Sequence, residues 1–238
     1  MKLCKLALAL LAISAGLAIA GCNSASNPGT ASGVEKCPFA KNDSNTKKIT
    51  KDMFYKNGKF DEEAAKKAYF DMMEKLGYPI SENMRKNMWA TDFNLGDFPA
   101  VGMGGIFWAH ENEHGVFGHE ILLLPNQMLI EHAHMPSGKL PAKYECWHCR
   151  AGKTYCLGET GEDISKYPEL KIPESQKPYV TATKVSVSDA KKGNVVWLNR
   201  ILAKHSQIAG PEGAVVTEYG SFHETAANAF TNPNVKFE

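Results

Sequence analysis

The sequence predicts an all-β barrel preceded by two short helices, on three observations. Helical periodicity is confined to residues 61–89, short apolar stretches broken by Gly, Pro and Asn recur from Val101 onward, and no internal repeat of solenoid length is present. Many short strands separated by turn residues suit a barrel or sandwich. The 238-residue chain carries a formal net charge of +1 with its Lys and Arg scattered, so there is no basic footprint for nucleic acid.

The first residues concern destination rather than fold. Lys2 and Lys5 precede an apolar run that closes with Ile19-Ala-Gly-Cys22. A basic start, a run too short to span a bilayer and small residues before a cleavage point describe a secretory signal. The closing residues match the bacterial lipobox, so residues 1–22 are expected to be a lipoprotein signal and Cys22 the lipidated, membrane-anchoring residue of an exported protein. Residues 23–50, rich in Ser, Asn, Gly and Lys, bury almost nothing and are expected to form a flexible tether. Cys37 lies there as a thiol without an assigned role. Residues 51–238 are then one domain.

In that domain, Ala65, Tyr69, Met72 and Leu76 recur at three-and-four spacing, so 61–76 is a predicted amphipathic helix stopped by Gly77 and Pro79. Ser81 is the predicted cap of a second helix running to about Trp89, and the two helices are expected to close one mouth or face of the barrel. Predicted strands follow at 101–109, 117–124, 127–134, 143–149, 153–158, 179–187, 194–202 and 213–220, with a long surface loop over 159–178.

Chemistry-bearing residues fall on these strands. His132 and His134 are two apart, so a strand points both to one side, where their imidazoles reach one ion. The same alternation groups Lys143, Glu145, Trp147 and Cys149 on one face and Tyr144, Cys146 and His148 on the other. If Glu145 points inward it joins the two histidines, and His148 is a surface residue. Cys146 and Cys149, three apart on a strand, face opposite ways, which argues against a redox pair. His205 and His223 remain as downstream candidates for a further ligand.

The chain resembles the D-lyxose isomerase family over most of residues 61–238. The stretches that carry the resemblance are Asp92-Phe-Asn-Leu-Gly96, Leu123-Leu-Pro-Asn-Gln127, Glu131-His-Ala-His134, Cys149-Arg-Ala-Gly-Lys153 and Ala209-Gly-Pro-Glu-Gly-Ala-Val-Val-Thr-Glu218, the last two being the most specific. The spacer of ten residues from His134 to Glu145 exceeds that of generic cupin motifs. The resemblance implies a cupin jelly-roll barrel and one divalent metal on His132, His134, Glu145 and His205. The position of His205 shortly before the Ala209 stretch selects it over His223, which is then expected at the surface. It also implies aldose–ketose isomerisation, with Glu218 as the base that moves a proton between C1 and C2, and homodimer formation as a family-level expectation.

Three imidazoles and a carboxylate suit Mn²⁺, Fe²⁺, Co²⁺, Ni²⁺ or Zn²⁺, with Mn²⁺ favoured. Lys143 shares a face with Glu145 and either donates to a substrate oxygen or reaches water, while Trp147 and Phe107 are candidate walls for a sugar. The sequence departs from the family where Asn228, Asn232 and Asn234 replace charged residues, and where Pro and Gly are missing before His205. A non-catalytic, lipid-anchored carbohydrate- or metal-binding cupin and an Fe²⁺ oxygenase are the competing readings.

Overall fold

The computed structural model describes residues 49–237; the expected signal, Cys22, Cys37 and the expected tether up to residue 48 lie outside the described residues. The folded part opens with a short hairpin, β1 (Tyr55–Lys56) and β2 (Lys59–Phe60). Helix α1 (Glu62–Lys75) follows, its first turn capped by Asp61, which accepts from the Ala64 amide. Helix α2 (Glu82–Asn87) is capped by Ser81 as the sequence predicts. It stops short of Trp89, which instead opens a strand, β3 (Trp89–Thr91).

The barrel strands are β4 (Met103–Glu111), β5 (Val116–Leu123), β6 (Met128–His134), β7 (Glu145–Gly158), β8 (Glu162–Asp163), β9 (Lys184–Asp189), β10 (Val195–Trp197), β11 (His205–Ser221) and β12 (Asn228–Phe230). All are paired antiparallel. Two long strands shape the barrel. The first half of β11 lies between β6 and β7, and its second half lies between β5 and β7. The first half of β7 pairs with β10 and its second half with β9. Both strands therefore pass from one sheet to the other, which is how a jelly roll closes without a free central edge.

The crossing requires a glycine. Gly152, in β7 where the register with β11 slips, has φ +73°, and a Cβ there would lie 2.1 Å from the Gly213 carbonyl oxygen. The sequence reading broke β7 at this point into two strands, 143–149 and 153–158, because Gly punctuates strands. Here the glycine bends one strand instead of ending it. Likewise 213–220 is the second half of a strand that begins at His205. The expected strands 179–187 and 194–202 shrink to β9 and β10. The segment 159–178 is not a bare surface loop: Ile164, Tyr167, Leu170 and Ile172 pack against Tyr155, Leu157 and Val185.

Strand alternation separates two cores. Ile121 and Leu123 of β5, with Ala214 and Val216 of β11, face the barrel interior. Leu122, Leu124 and Val215 face outward and are covered by Ala65, Tyr69, Met72 and Met73 of α1. The helices thus cover a sheet face. Burying each such Met or Leu stabilises the fold by about 1.5–3 kcal/mol. Tyr69 reaches through this layer to donate to the Gln127 side-chain oxygen at 2.6 Å, which also accepts from the Leu124 amide. That ties the helix to the turn that launches β6.

Candidate active site

One wall is set by strand register. His132 on β6 lies directly opposite His205 on β11, and His134 follows two residues on, so all three side chains enter the interior together. Their ligand atoms lie within 4.8 Å of one another. His132 donates from Nδ1 to the Ile130 carbonyl at 2.9 Å, and His205 from Nδ1 to the Ala203 carbonyl at 3.0 Å. Backbone acceptors on Nδ1 fix both rings and leave Nε2 for the site, the usual arrangement of metal-binding histidines.

Glu145, opening β7 on the other sheet, brings the carboxylate. Its Oε1 lies 2.8 Å from Nε2 of His134 and 2.9 Å from Nε2 of His205. Burial alone would raise the Glu145 carboxyl, but Lys143, His134 and His205 hold it well below the usual carboxylate range. Burial, with His205 and His134 adding to it, pushes His132 well down, so its imidazole is neutral. Burial also disfavours charge on His205, yet the Glu145 carboxylate raises it on balance. The cluster thus concentrates demand for positive charge at one point. A divalent ion would meet that demand, with His205 bound as the neutral imidazole. Neutral imidazoles with a fixed carboxylate are a donor set that fits such an ion.

Glu218 and Lys143 share the cavity. Glu218, on the interior face of β11 in line with Ala214 and Val216, is buried, and its carboxylate accepts from Lys143 Nζ. The same Nζ lies 2.8 Å from Oε2 of Glu145 and 3.8 Å from the centre of the Phe117 ring. Burial opposes ionisation of Glu218, but Lys143 holds its carboxyl below the ordinary value, with His119 adding to the effect against repulsion from Glu145. Lys143 is itself raised, because its two carboxylate neighbours outweigh burial. It does not reach water, being 1% exposed.

The cavity holds about 480 Å³ of empty space, counting the part open to solvent. Trp89, Phe93, Phe107, Phe117, Phe230 and Phe237 form its apolar walls, and His119, His132, His134, Lys143, Glu218 and His223 its polar lining. Phe107 is thus a wall as expected. Trp147 is not; it lies behind the site, its ring 5.1 Å from that of His205. His148 is half-buried on the opposite face of β7, as alternation requires. Cys146 and Cys149 are free thiols.

His223 corrects the sequence reading. It is 8% exposed rather than at the surface, and its ring stands 4.5 Å from that of His134. The closing segment folds back over the cavity because β12 pairs with β6, with Asn228 opposite His134. A local reading of an end segment has no signal for that pairing. Asn228 accepts from His223 Nε2 at 2.8 Å, whereas Asn232 is buried against Gln176, away from the cluster.

His119 was missed although a signal existed. It shares strand parity with Ile121 and Leu123, which places it inward. Its ring stacks on Trp89 at 5.5 Å and on Phe107 at 4.7 Å, those two rings also being in mutual contact at 6.0 Å, and its Nδ1 lies 3.9 Å from Glu218 Oε2.

No family model matches the chain. It is 31% identical over 174 residues to a D-lyxose ketol-isomerase of Thermofilum sp., covering 73% of this chain and 92% of that protein. A D-lyxose/D-mannose isomerase of Thermosediminibacter oceani is 28% identical over 167 residues, covering 70% and 88%. Among solved structures, L-ribose isomerase of Cellulomonas parahominis with L-ribose superposes with a TM-score of 0.55 at 13% identity, over 71% of this chain and 90% of that one. That likeness concerns the fold alone.

Proposed function

The chain belongs to the D-lyxose ketol-isomerase family, and from that membership we propose that it interconverts D-lyxose with D-xylulose, or D-mannose with D-fructose, through an enediol. The observation that carries this reading is a buried carboxylate, Glu218, lining the same cavity as His132 and His134 of the cluster that Glu145 and His205 complete, with its carboxyl held below the ordinary value by Lys143. The cluster residues would hold one divalent ion, Mn²⁺ first among the candidates, whose chemistry is to polarise a carbonyl oxygen as a Lewis acid.

The remaining work falls to the chain itself. Glu218 takes the proton from the carbon beside the carbonyl and returns it to the neighbouring carbon. Such a base must be ionised at neutral pH, and Lys143 keeps it so. Lys143 also presents N–H groups on the side where negative charge develops on a sugar oxygen. Burial of both side chains strengthens both effects. The basic, apolar N-terminus ending at Cys22 supports an exported, lipid-anchored enzyme acting on free sugar outside the cytoplasm.

The test is hydrogen exchange. Metal-loaded protein incubated in D₂O with D-lyxose, D-mannose or D-xylulose should place deuterium on the carbon that receives the transferred proton. Glu218→Gln should abolish incorporation while leaving metal content unchanged. Sugar binding without exchange would point to a carbohydrate-binding protein, and oxygen consumption to an oxygenase.

A further inference from the structure

Three buried imidazole nitrogens among the cavity-lining residues have no protein partner, Nε2 of His119, Nδ1 of His134 and Nδ1 of His223. The His134 and His223 rings are 4.5 Å apart and nearly perpendicular, at 80°. A buried polar atom without a partner costs stability unless something else fills the position. For His223 the missing partner has a definite character. Its Nε2 faces the Asn228 side-chain oxygen at 2.8 Å, so Nε2 carries the ring proton and Nδ1 keeps a bare lone pair. The empty position calls for a donor.

The ring is also held in place from behind. The His223 carbonyl accepts from Nε2 of His110 at 3.1 Å. His110 in turn is stacked between Phe107 at 4.9 Å and Phe222 at 4.7 Å. Asn228 opens β12, which is paired to the strand bearing His134. Nothing in this arrangement serves proton transfer at Glu218. A fixed acceptor beside the aromatic walls of the cavity is the equipment for reading a hydroxyl group.

We propose that His223 Nδ1 accepts a hydrogen bond from a hydroxyl of the bound open-chain sugar, on a carbon beyond the reacting C1–C2 pair, and thereby selects among sugar stereoisomers. The proposal rests on the aldose–ketose reading and deepens it. A hydroxyl is donor and acceptor at once, so the same oxygen also accepts from Nδ1 of His134 whenever that ring directs its Nε2 lone pair to a cation. One side chain then tests the stereochemistry of the substrate, while Glu218 and Lys143 treat all α-hydroxy aldehydes alike.

The experiment is a cycle between protein and substrate. Kinetics with D-lyxose and with analogues lacking the hydroxyl at C3, C4 or C5 in turn are compared in the wild type and in His223→Phe, which keeps the ring shape and removes the acceptor. With D-lyxose, His223→Phe should lower kcat/KM by about 5- to 100-fold. One of the three analogues should lose a similar factor in the wild type and nothing further in the variant, because the contact is already gone. Asn228→Ala leaves the ring but frees its tautomer, and should show a smaller loss with D-lyxose that likewise disappears with that same analogue. Asn228→Ala carries the comparison if His223→Phe does not fold.

The proposal is overturned if the variants match the wild type, if the losses multiply for every analogue, or if His223→Phe loses bound metal. Titration calorimetry with D-arabitol, the alditol of D-lyxose, separates the two ideas. Absence of exchange in the wild type with weakened D-arabitol binding in His223→Phe would sink the isomerase reading and keep the contact. Exchange in the wild type with unchanged D-arabitol binding in the variant would do the reverse.

Discussion

Replacing Lys143 with Met retains most of its apolar stem and removes the one cation between two buried carboxylates. Nζ lies 2.8 Å from Glu145 Oε2, hydrogen-bonds Glu218, and is 1% exposed. Removing one partner of a buried pair costs about 3–5 kcal/mol, because the remaining charge is stranded. That is a large part of the roughly 5–15 kcal/mol available to a folded domain. The cost also depends on pH. In the wild type both carboxyls titrate below their ordinary range, so they contribute stability that is present above the unfolded pKa and lost as pH falls through the folded values. Without Lys143, Glu145 keeps His134 and His205, whereas Glu218 is left with His119 against burial and the repulsion of Glu145, so its carboxyl moves up and the folded state holds a proton that the unfolded state has released. The penalty therefore grows as pH rises, by about 1.4 kcal/mol for each unit a carboxyl is shifted. Urea unfolding of wild type and Lys143→Met, with chelator present, at about pH 5 and about pH 8 measures this. A penalty under about 1 kcal/mol, or one equal at both pH values, would refute the account of the cluster as a charge-balanced unit.

Other expectations concern residues that support the site. In Gly220→Ala the new Cβ would stand 2.7 Å from Lys143 Cε and 3.1 Å from the Tyr144 carbonyl oxygen, so it should cost about 1–3 kcal/mol in thermal unfolding and depress activity by displacing Lys143. Glu131→Gln should cost about 1–3 kcal/mol, read by urea unfolding, because the carboxylate accepts from the Thr181 and Ala182 amides and from the hydroxyls of Thr181 and Thr231, and one amide hydrogen must then face a donor. Cys149 is pushed up to about 12 by burial, and Cys146 and Cys156 are raised as well. Alkylation of the native protein near neutral pH should therefore leave all three unmodified by mass spectrometry, and denaturant should expose them.

The sequence by itself determined those features that depend on local periodicity. The helix over Glu62–Lys75, the inward parity of His132 with His134, and the opposition of Cys146 and Cys149 all follow from how side chains alternate on a strand or recur on a helix, whereas Lys143 lies before the strand that opens at Glu145. His119 was legible by the same rule and was overlooked because a lone inward histidine resembles ordinary core. Family motifs supplied His205, which no local rule separates from His223.

Tertiary structure alone decided what depends on contacts between distant segments. Gly152 bends β7 rather than ending it because Gly213 of β11 approaches its backbone, which no window of sequence around Gly152 contains. His223 enters the cavity because β12 pairs with β6, and Trp147 stands against the His205 ring, on a strand in register with Glu218 of β11. Lys143 meets Glu145 and Glu218 together only because β7 and β11 are adjacent, with Glu145 in register with Gly220, where the absence of a side chain leaves room for the lysine stem. Periodicity states which way a residue points along its own strand; closure of the barrel states what it meets there.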